Sequence, residues 1–185
     1  MGSNPILGGV PTSTNLCRAI RMGTPRWYAL RTRSRHEKRV SAQVDSRGIE
    51  VFLPLIGRRN RWKDRTVKVE LPLFPGYCFA HFAWNDRLQV LTAPGVVEVL
   101  GVGGQGVPVA ETEIENVRRL VTSTLRVDPY PFLEPGRAVE VRRGPLKGLR
   151  GFLVRKAAKA RLVIAVSLIR QGASVEIDAD DVVPV

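Results

Sequence analysis

Leu71-Pro72-Leu73-Phe74-Pro75-Gly76-Tyr77-Cys78-Phe79-Ala80 decides how this chain folds. Two prolines bracket Leu73 and Phe74, and Gly76 permits a sharp bend. From Tyr77 onward the pattern has a period of two, with Tyr77, Phe79 and His81 alternating with Cys78, Ala80 and Phe82. The stretch is a turn feeding a strand, and one face of that strand is core. Two readings of the aromatics stand side by side. Phe74, Tyr77 and Phe79 are all buried, or some of them stay exposed as anchors of a protein interface, where rings give large contact area for little lost rotamer freedom. Periodicity does not separate the two. No catalytic side chain lies close by, so the stretch points to partners before it points to chemistry.

Working outward, Trp27–Leu30 reads as a strand and Arg35–Arg47 as a basic helix, with Val40 and Val44 on one face and Gly48 as its stop. Ile49–Leu53 reads as a strand. Val67, Val69 and Leu71 alternate behind the basic arm Arg58-Arg59-Asn60-Arg61-Trp62-Lys63, which predicts a protruding hairpin. Its Trp62 either stacks on a partner beside Arg61 and Lys63 or folds back on the sheet. Tyr77–Phe82 and Val96–Val102 are further strands, with a short helical turn near Asp86–Val90. Ala110–Leu125 carries Ile114, Val117, Leu120 and Val121 at helical spacing. The expected class is α+β, a β-α-β-β-β-α sandwich.

Pro129, Pro131 and Pro135-Gly136 interrupt this periodicity. Beyond them, Ala138–Arg142, Gly151–Arg155, Arg161–Leu168, Ser174–Ile177 and Val182–Val185 are short alternating runs that predict a small all-β barrel. The expected layout is a disordered extension over 1–24, a first domain over 25–122, a linker over 123–134 and the barrel over 135–185. Its β-branched Val163, Ile164, Val166, Val175 and Ile177 favour a standing barrel.

The charge balance is unusual: 29 Lys plus Arg against 17 Asp plus Glu, a net +12 over 185 residues. Pro25–Thr122 holds 16 basic and 10 acidic residues and Pro135–Val185 holds 10 and 5, so both parts are basic. Such a balance favours polyanions such as nucleic acid over an anionic membrane. No apolar run approaches the roughly 20 residues needed to span a bilayer, and 1–23 lacks a secretory pattern, so a soluble, cytoplasmic protein is expected. Cys17 and Cys78 indicate free thiols rather than a disulfide framework or a zinc site, and no cofactor is implied.

Enzyme signatures are weak. Gly101-Val102-Gly103-Gly104-Gln105-Gly106 matches a dinucleotide fingerprint, but Val107-Pro108-Val109 separates it from the next helix and too little chain follows for a Rossmann sheet. A hairpin loop explains the glycines. Asp178, Asp180 and Asp181 read as a solvated turn, and His81 as a strand residue.

Gly136-x-x-Val139-x-Val141-x-x-Gly144-Pro145-Leu146-x-Gly148-x-x-Gly151 resembles the KOW motif, with Gly144, Pro145 and Gly148 at its centre. Trp27-Tyr28, Leu53-Pro54 and Phe74-Pro75-Gly76-Tyr77 resemble the N-terminal domain of NusG-type transcription elongation factors. The resemblance runs from Pro25 to the C-terminus. The Arg33-x-Arg35-x-Glu37-Lys38 helix start and Phe52-Leu53-Pro54 are more similar to specialised antiterminator paralogues of the RfaH and UpxY kinds.

This resemblance implies a monomeric, non-enzymatic factor that suppresses pausing or termination. Its N-terminal domain is expected to grip the beta-prime clamp helices of RNA polymerase through Phe74, Tyr77 and Phe79, with Asp86 and Arg87 in a tip helix facing the opposite wall. Arg31, Arg33, Arg35, His36 and Arg39, with Arg61 and Lys63 of the hairpin, are expected to meet the non-template DNA strand, where guanidinium planes bind phosphates and stack on bases. Lys38 reads better as part of a solvated helix face. The barrel is expected to recruit a NusE-type ribosomal protein or Rho through Leu168, Ile169 and Arg170. Ile169 stands where housekeeping relatives usually present Phe, which leaves Rho in doubt, and Leu168 and Ile169 also read as barrel core. A general factor acting with Rho and a ribosome-associated RNA-binding KOW protein are the alternatives.

Overall fold

The computed structural model describes residues 23–62, 65–131, 136–156 and 159–185. The predicted N-terminal extension falls almost wholly outside them. The first domain is built on β1 (Arg26–Thr32), which pairs antiparallel with β5 (Tyr77–Phe82), β6 (Val96–Val99) and β9 (Pro108–Val109), while β2 (Glu50–Phe52) pairs with β5, giving five strands in one sheet.

The period-two pattern sorts this sheet into two faces. Tyr28 and Leu30 of β1 and Cys78, Ala80 and Phe82 of β5 share one face, which α1 (Glu37–Asp45) covers with Val40 and Val44 and α2 (Arg87–Leu91) covers with Val90. Trp27, Ala29 and Phe79 take the other, where α3 (Glu111–Thr122) lays down Ile114, Val117 and Leu120. Each of those three aliphatics is almost fully buried, worth about 1.5–3 kcal/mol apiece. Glu111 and Glu113 at the start of α3 and Arg119 near its end match the helix dipole. Both sheet faces are therefore core, one more than the strand pattern alone requires.

Boundaries shift for local reasons. The first helix begins at Glu37 rather than Arg35, because Arg35 takes φ +63°, in the left-handed region that no right-handed helix contains. The last ends at Thr122 because Ser123 is extended. The glycine-rich run forms a hairpin of β7 (Gly101–Val102) and β8 (Gln105–Gly106). Gly103 and Gly104 between them both have positive φ, as a two-residue type I′ turn demands. The basic arm is a hairpin too, β3 (Leu55–Trp62) against β4 (Arg65–Pro72); the side chains at 59–68 lie outside the description.

The C-terminal domain is a six-stranded antiparallel sheet in the order β10-β14-β13-β12-β11-β15, made of β10 (Val127–Pro131), β11 (Arg137–Val141), β12 (Arg150–Lys156), β13 (Lys159–Val166), β14 (Gln171–Glu176) and β15 (Val182–Pro184). Here the sequence reading is corrected: Val127–Pro131, assigned to the linker, is a strand registered on β14 from Val127↔Val175 to Pro131↔Gln171. Its prolines hid it. They are tolerated because β10 is an edge strand, where a missing N–H leaves no ladder bond unmade.

Candidate functional site

The aromatic turn is held from three sides. Gly76, at φ +84°, donates its N–H to Glu37 Oε1 at 2.7 Å, and its carbonyl accepts the Thr32 N–H at 2.8 Å. Leu73 N–H donates to the Pro54 carbonyl at 2.8 Å. The Leu-Pro step before β3, the first residue of α1 and the Phe-Pro-Gly turn are thus one bonded unit, which is why these separate motifs belong together. Glu37, only 5% exposed, is the residue that ties them.

Of the three expected anchors, only Tyr77 is part-exposed. Phe74 and Phe79 are fully buried, their rings edge to face at 6.1 Å. The apolar cluster that holds Phe74 and Phe79 does not stop at α3. It runs unbroken from Trp27, Phe74, Phe79, Ile114 and Leu120 into Leu146, Leu149, Leu162, Ile164 and Ile169 of the C-terminal domain. The second domain packs on the first through α3 and β13.

Polar contacts frame this junction. Ser167 Oγ donates to Glu113 Oε1 at 2.8 Å, and Arg119 Nη2 donates to the Lys147 carbonyl at 2.6 Å. Asp128 of β10 has Arg58 of β3, Arg126 and Arg161 of β13 within 3.6 to 3.9 Å. The turn expected to receive a second partner is consumed by the same packing: Ile169 is buried, Leu168 is half-buried against the cluster, and only Arg170, at φ +51°, is exposed.

Sequence reasoning missed Arg118. Its guanidinium lies 5.8 Å from the Trp27 ring centre and 5.2 Å from that of Phe52, and 3.4 Å from Glu50. Glu50 also stands 3.6 Å from His81 Nδ1, and His81 is tilted on Trp27 at 5.1 Å. This closes the aromatic face with a cation, an arrangement assembled from four elements that no local motif signals.

The basic strand end is only partly available. Arg33, Arg35, Lys38 and Arg39 are exposed, and among the described residues none of them forms an ion pair. Arg31 is paired with Glu98, Nε to Oε1 2.7 Å. His36 is half-buried, its Nδ1–H donating to the Ser34 carbonyl at 2.9 Å. Arg61 sits on β3 opposite Thr66, and Lys63 lies outside the described residues. In the tip helix, Arg87 donates to the Trp84 carbonyl at 3.3 Å and lies over its ring, while Asp86 accepts from Gln89 at 3.5 Å. Both are engaged within their own turn, and Leu88, 63% exposed, is what the helix presents.

The KOW glycines serve the backbone. Gly144 and Gly148 have φ of +81° and +79°, and a Cβ on Gly151 would stand 2.6 Å from the Val163 carbonyl oxygen. No helix among the described residues is long and apolar enough to cross a membrane.

Residues 25–118, just over half the chain, match the family model described as transcription termination factor nusG. The transcription termination/antitermination protein NusG of Rickettsia bellii is 28% identical over 83% of this chain and 87% of its own length. The NusG of Staphylococcus aureus strain Mu50 is 24% identical over 87% and 96%. A solved structure described as domain interaction in Thermotoga maritima NusG superposes with a TM-score of 0.52 at 22% identity, covering 88% of this chain and 98% of that one, a likeness of fold. An N-terminal α+β layer, an all-β C-terminal domain and a sequence match across the first make this chain a member of the NusG family of transcription termination and antitermination factors.

Proposed function

We propose that this protein binds RNA polymerase at the beta-prime clamp helices through the surface around Tyr77, Phe74 and Phe79, suppresses pausing or termination, and recruits a second machine with its C-terminal domain. It works by binding rather than by catalysis. The observation that carries this reading is the continuous apolar cluster shared by the aromatic turn and the second domain. Two surfaces that the resemblance assigns to different partners are both apolar enough to need covering, and both feed into one apolar cluster. On this reading polymerase displaces the C-terminal domain, and displacement frees Leu168, Ile169 and Arg170 for a NusE-type ribosomal protein or for Rho. Arg33, Arg35 and Arg39 are left to meet the non-template strand.

The test is transcript elongation by purified bacterial RNA polymerase on a template carrying a pause and a Rho-dependent terminator. Shortened pauses without added Rho termination support an antiterminator of the specialised kind. Enhanced Rho termination supports the general factor, a second reading favoured by relatives named for both termination and antitermination. Tyr77→Ala, which removes the part-exposed ring, is expected to weaken polymerase binding about tenfold or more. Undiminished binding by that folded variant refutes the assigned surface.

A further inference from the structure

Where the first domain hands over to the second there is a cavity of about 840 Å³, between the base of β3, the end of α3 and the chain that runs on into β10. Its lining is of two kinds. Leu55, Val121 and Leu125 supply aliphatic surface, each of them only partly covered. Arg58 and Arg126 supply charge beside Asp128, their guanidiniums 3.9 and 3.6 Å from its carboxylate. Both distances exceed the limit of about 3.2 Å for an N–H···O bond, and among the described residues neither guanidinium donates a hydrogen bond. Asp128 therefore gathers the two cations without using up their donors. Arg161 of β13 also stands 3.9 Å from Asp128, but it donates to Ser174 and faces Glu176 in register, so its charge is committed elsewhere. Among the described residues no other charged side chain lines the cavity. Two guanidiniums against one carboxylate leave a net positive charge and planar, unspent donors whose spacing matches phosphate oxygens.

We propose that this cavity binds a free nucleoside phosphate, its base against Leu55, Val121 and Leu125 and its phosphates on Arg58 and Arg126. An inorganic anion would leave the aliphatic surface wet, and a purely apolar ligand would strand the guanidiniums. A heterocycle joined to phosphates uses both, and the cavity lies within the range of about 300–1,000 Å³ usual for small-molecule sites. Arg33, Arg35 and Arg39, the residues left to meet a DNA strand, take no part in its lining. Because β3 and α3 belong to the first domain and Asp128 to β10, the site exists in the packed form of the two domains, and an occupant holds them together. The proposal rests on that packing and not on the reading of the polymerase surface.

The experiment is isothermal titration calorimetry of the full chain with ADP, GDP, adenosine and pyrophosphate. At least one nucleoside diphosphate is expected to bind, with adenosine and pyrophosphate each about tenfold or more weaker, since each engages half of the lining. The Arg126 side chain is 89% exposed, so Arg126→Ala spares the fold and should weaken nucleotide binding about tenfold. Arg143→Ala, an equal loss of charge at an exposed position between β11 and β12, should weaken it less than about twofold. With nucleotide at about a hundredfold over Kd the melting temperature of the wild type should rise by about 5 °C or more, and that of Arg126→Ala by about half as much at the same concentration. Pyrophosphate binding as tightly as the nucleotides, or Arg143→Ala weakening them as much as Arg126→Ala, would reveal diffuse attraction of anions to a basic chain and overturns the site. So does the absence of binding heat at millimolar ADP and GDP with an unchanged melting temperature. Polymerase does not enter the assay, so failure here leaves the clamp-helix assignment untouched.

Discussion

Replacing Phe74 by alanine tests the packing of the two domains more sharply than any surface change. The ring is 0% exposed, stands edge to face with Phe79 at 6.1 Å, and belongs to the cluster that continues into the second domain. Truncating a fully buried Phe costs about 3–5 kcal/mol in lost transfer energy and residual cavity. The edge-to-face contact carries about 0.5–1.5 kcal/mol of that effect beyond area burial. Against a typical total of about 5–15 kcal/mol, the variant should lose a large fraction of its stability. Urea unfolding read by tryptophan fluorescence, with midpoint and slope fitted separately, measures the loss. A midpoint shift equivalent to about 3–5 kcal/mol at unchanged slope is expected. A cost below about 1 kcal/mol would mean that the ring faces water in solution, and would refute the closed packing of the turn. The same arithmetic makes Phe74→Ala a poor probe of partner binding, since lost affinity and lost fold would coincide.

Glu37→Ala leaves the Gly76 N–H without its acceptor and should cost about 1–3 kcal/mol by thermal or urea unfolding, whereas Glu37→Gln keeps an acceptor oxygen and should cost less; equal costs would dismiss the hydrogen bond. Burial, with a lesser push from Glu37, raises the Cys78 thiol from 9.0 to about 12. The folded thiol keeps its proton where the unfolded one ionises, so this contribution to stability is intact below about pH 9 and fades as pH climbs toward 12. Relative to Cys78→Ala, the wild type should therefore lose up to about 1.4 kcal/mol per pH unit above pH 9, and parallel pH profiles would contradict the burial. Gly151→Ala should destabilise by about 1–3 kcal/mol, because its Cβ would press on the Val163 carbonyl at 2.6 Å; an unchanged melting temperature would show that β12 and β13 can part.

The legible parts of this molecule were those written in short-range pattern. The alternation around Tyr77–Phe82 placed a central strand, and helical spacing at Ile114, Val117 and Leu120 placed the covering helix. The glycine run declared a hairpin because glycine takes both positive-φ positions of its turn, at 103 and 104, without steric cost. Where local grammar misled, the cause was equally local. Prolines at 129 and 131 masked β10, since they read as a break until the strand is known to be an edge. Ion pairs such as Arg31 with Glu98 and the cation held by Trp27 and Phe52 escaped notice, because their partners meet only across strands and helices distant in the chain.

The amino-acid sequence by itself determined the α+β layer, the all-β second domain and the basic character of both, because periodicity, turn chemistry and charge are properties of neighbouring residues. Only the tertiary structure decided which apolar groups are buried within the protein and which stay at its surface. The same alternating strand serves an exposed docking surface or a doubly covered sheet equally well. What separates the two is whether other elements arrive to exclude water, and here Phe74, Phe79 and Ile169 are buried within one apolar cluster that continues through α3 into the C-terminal domain.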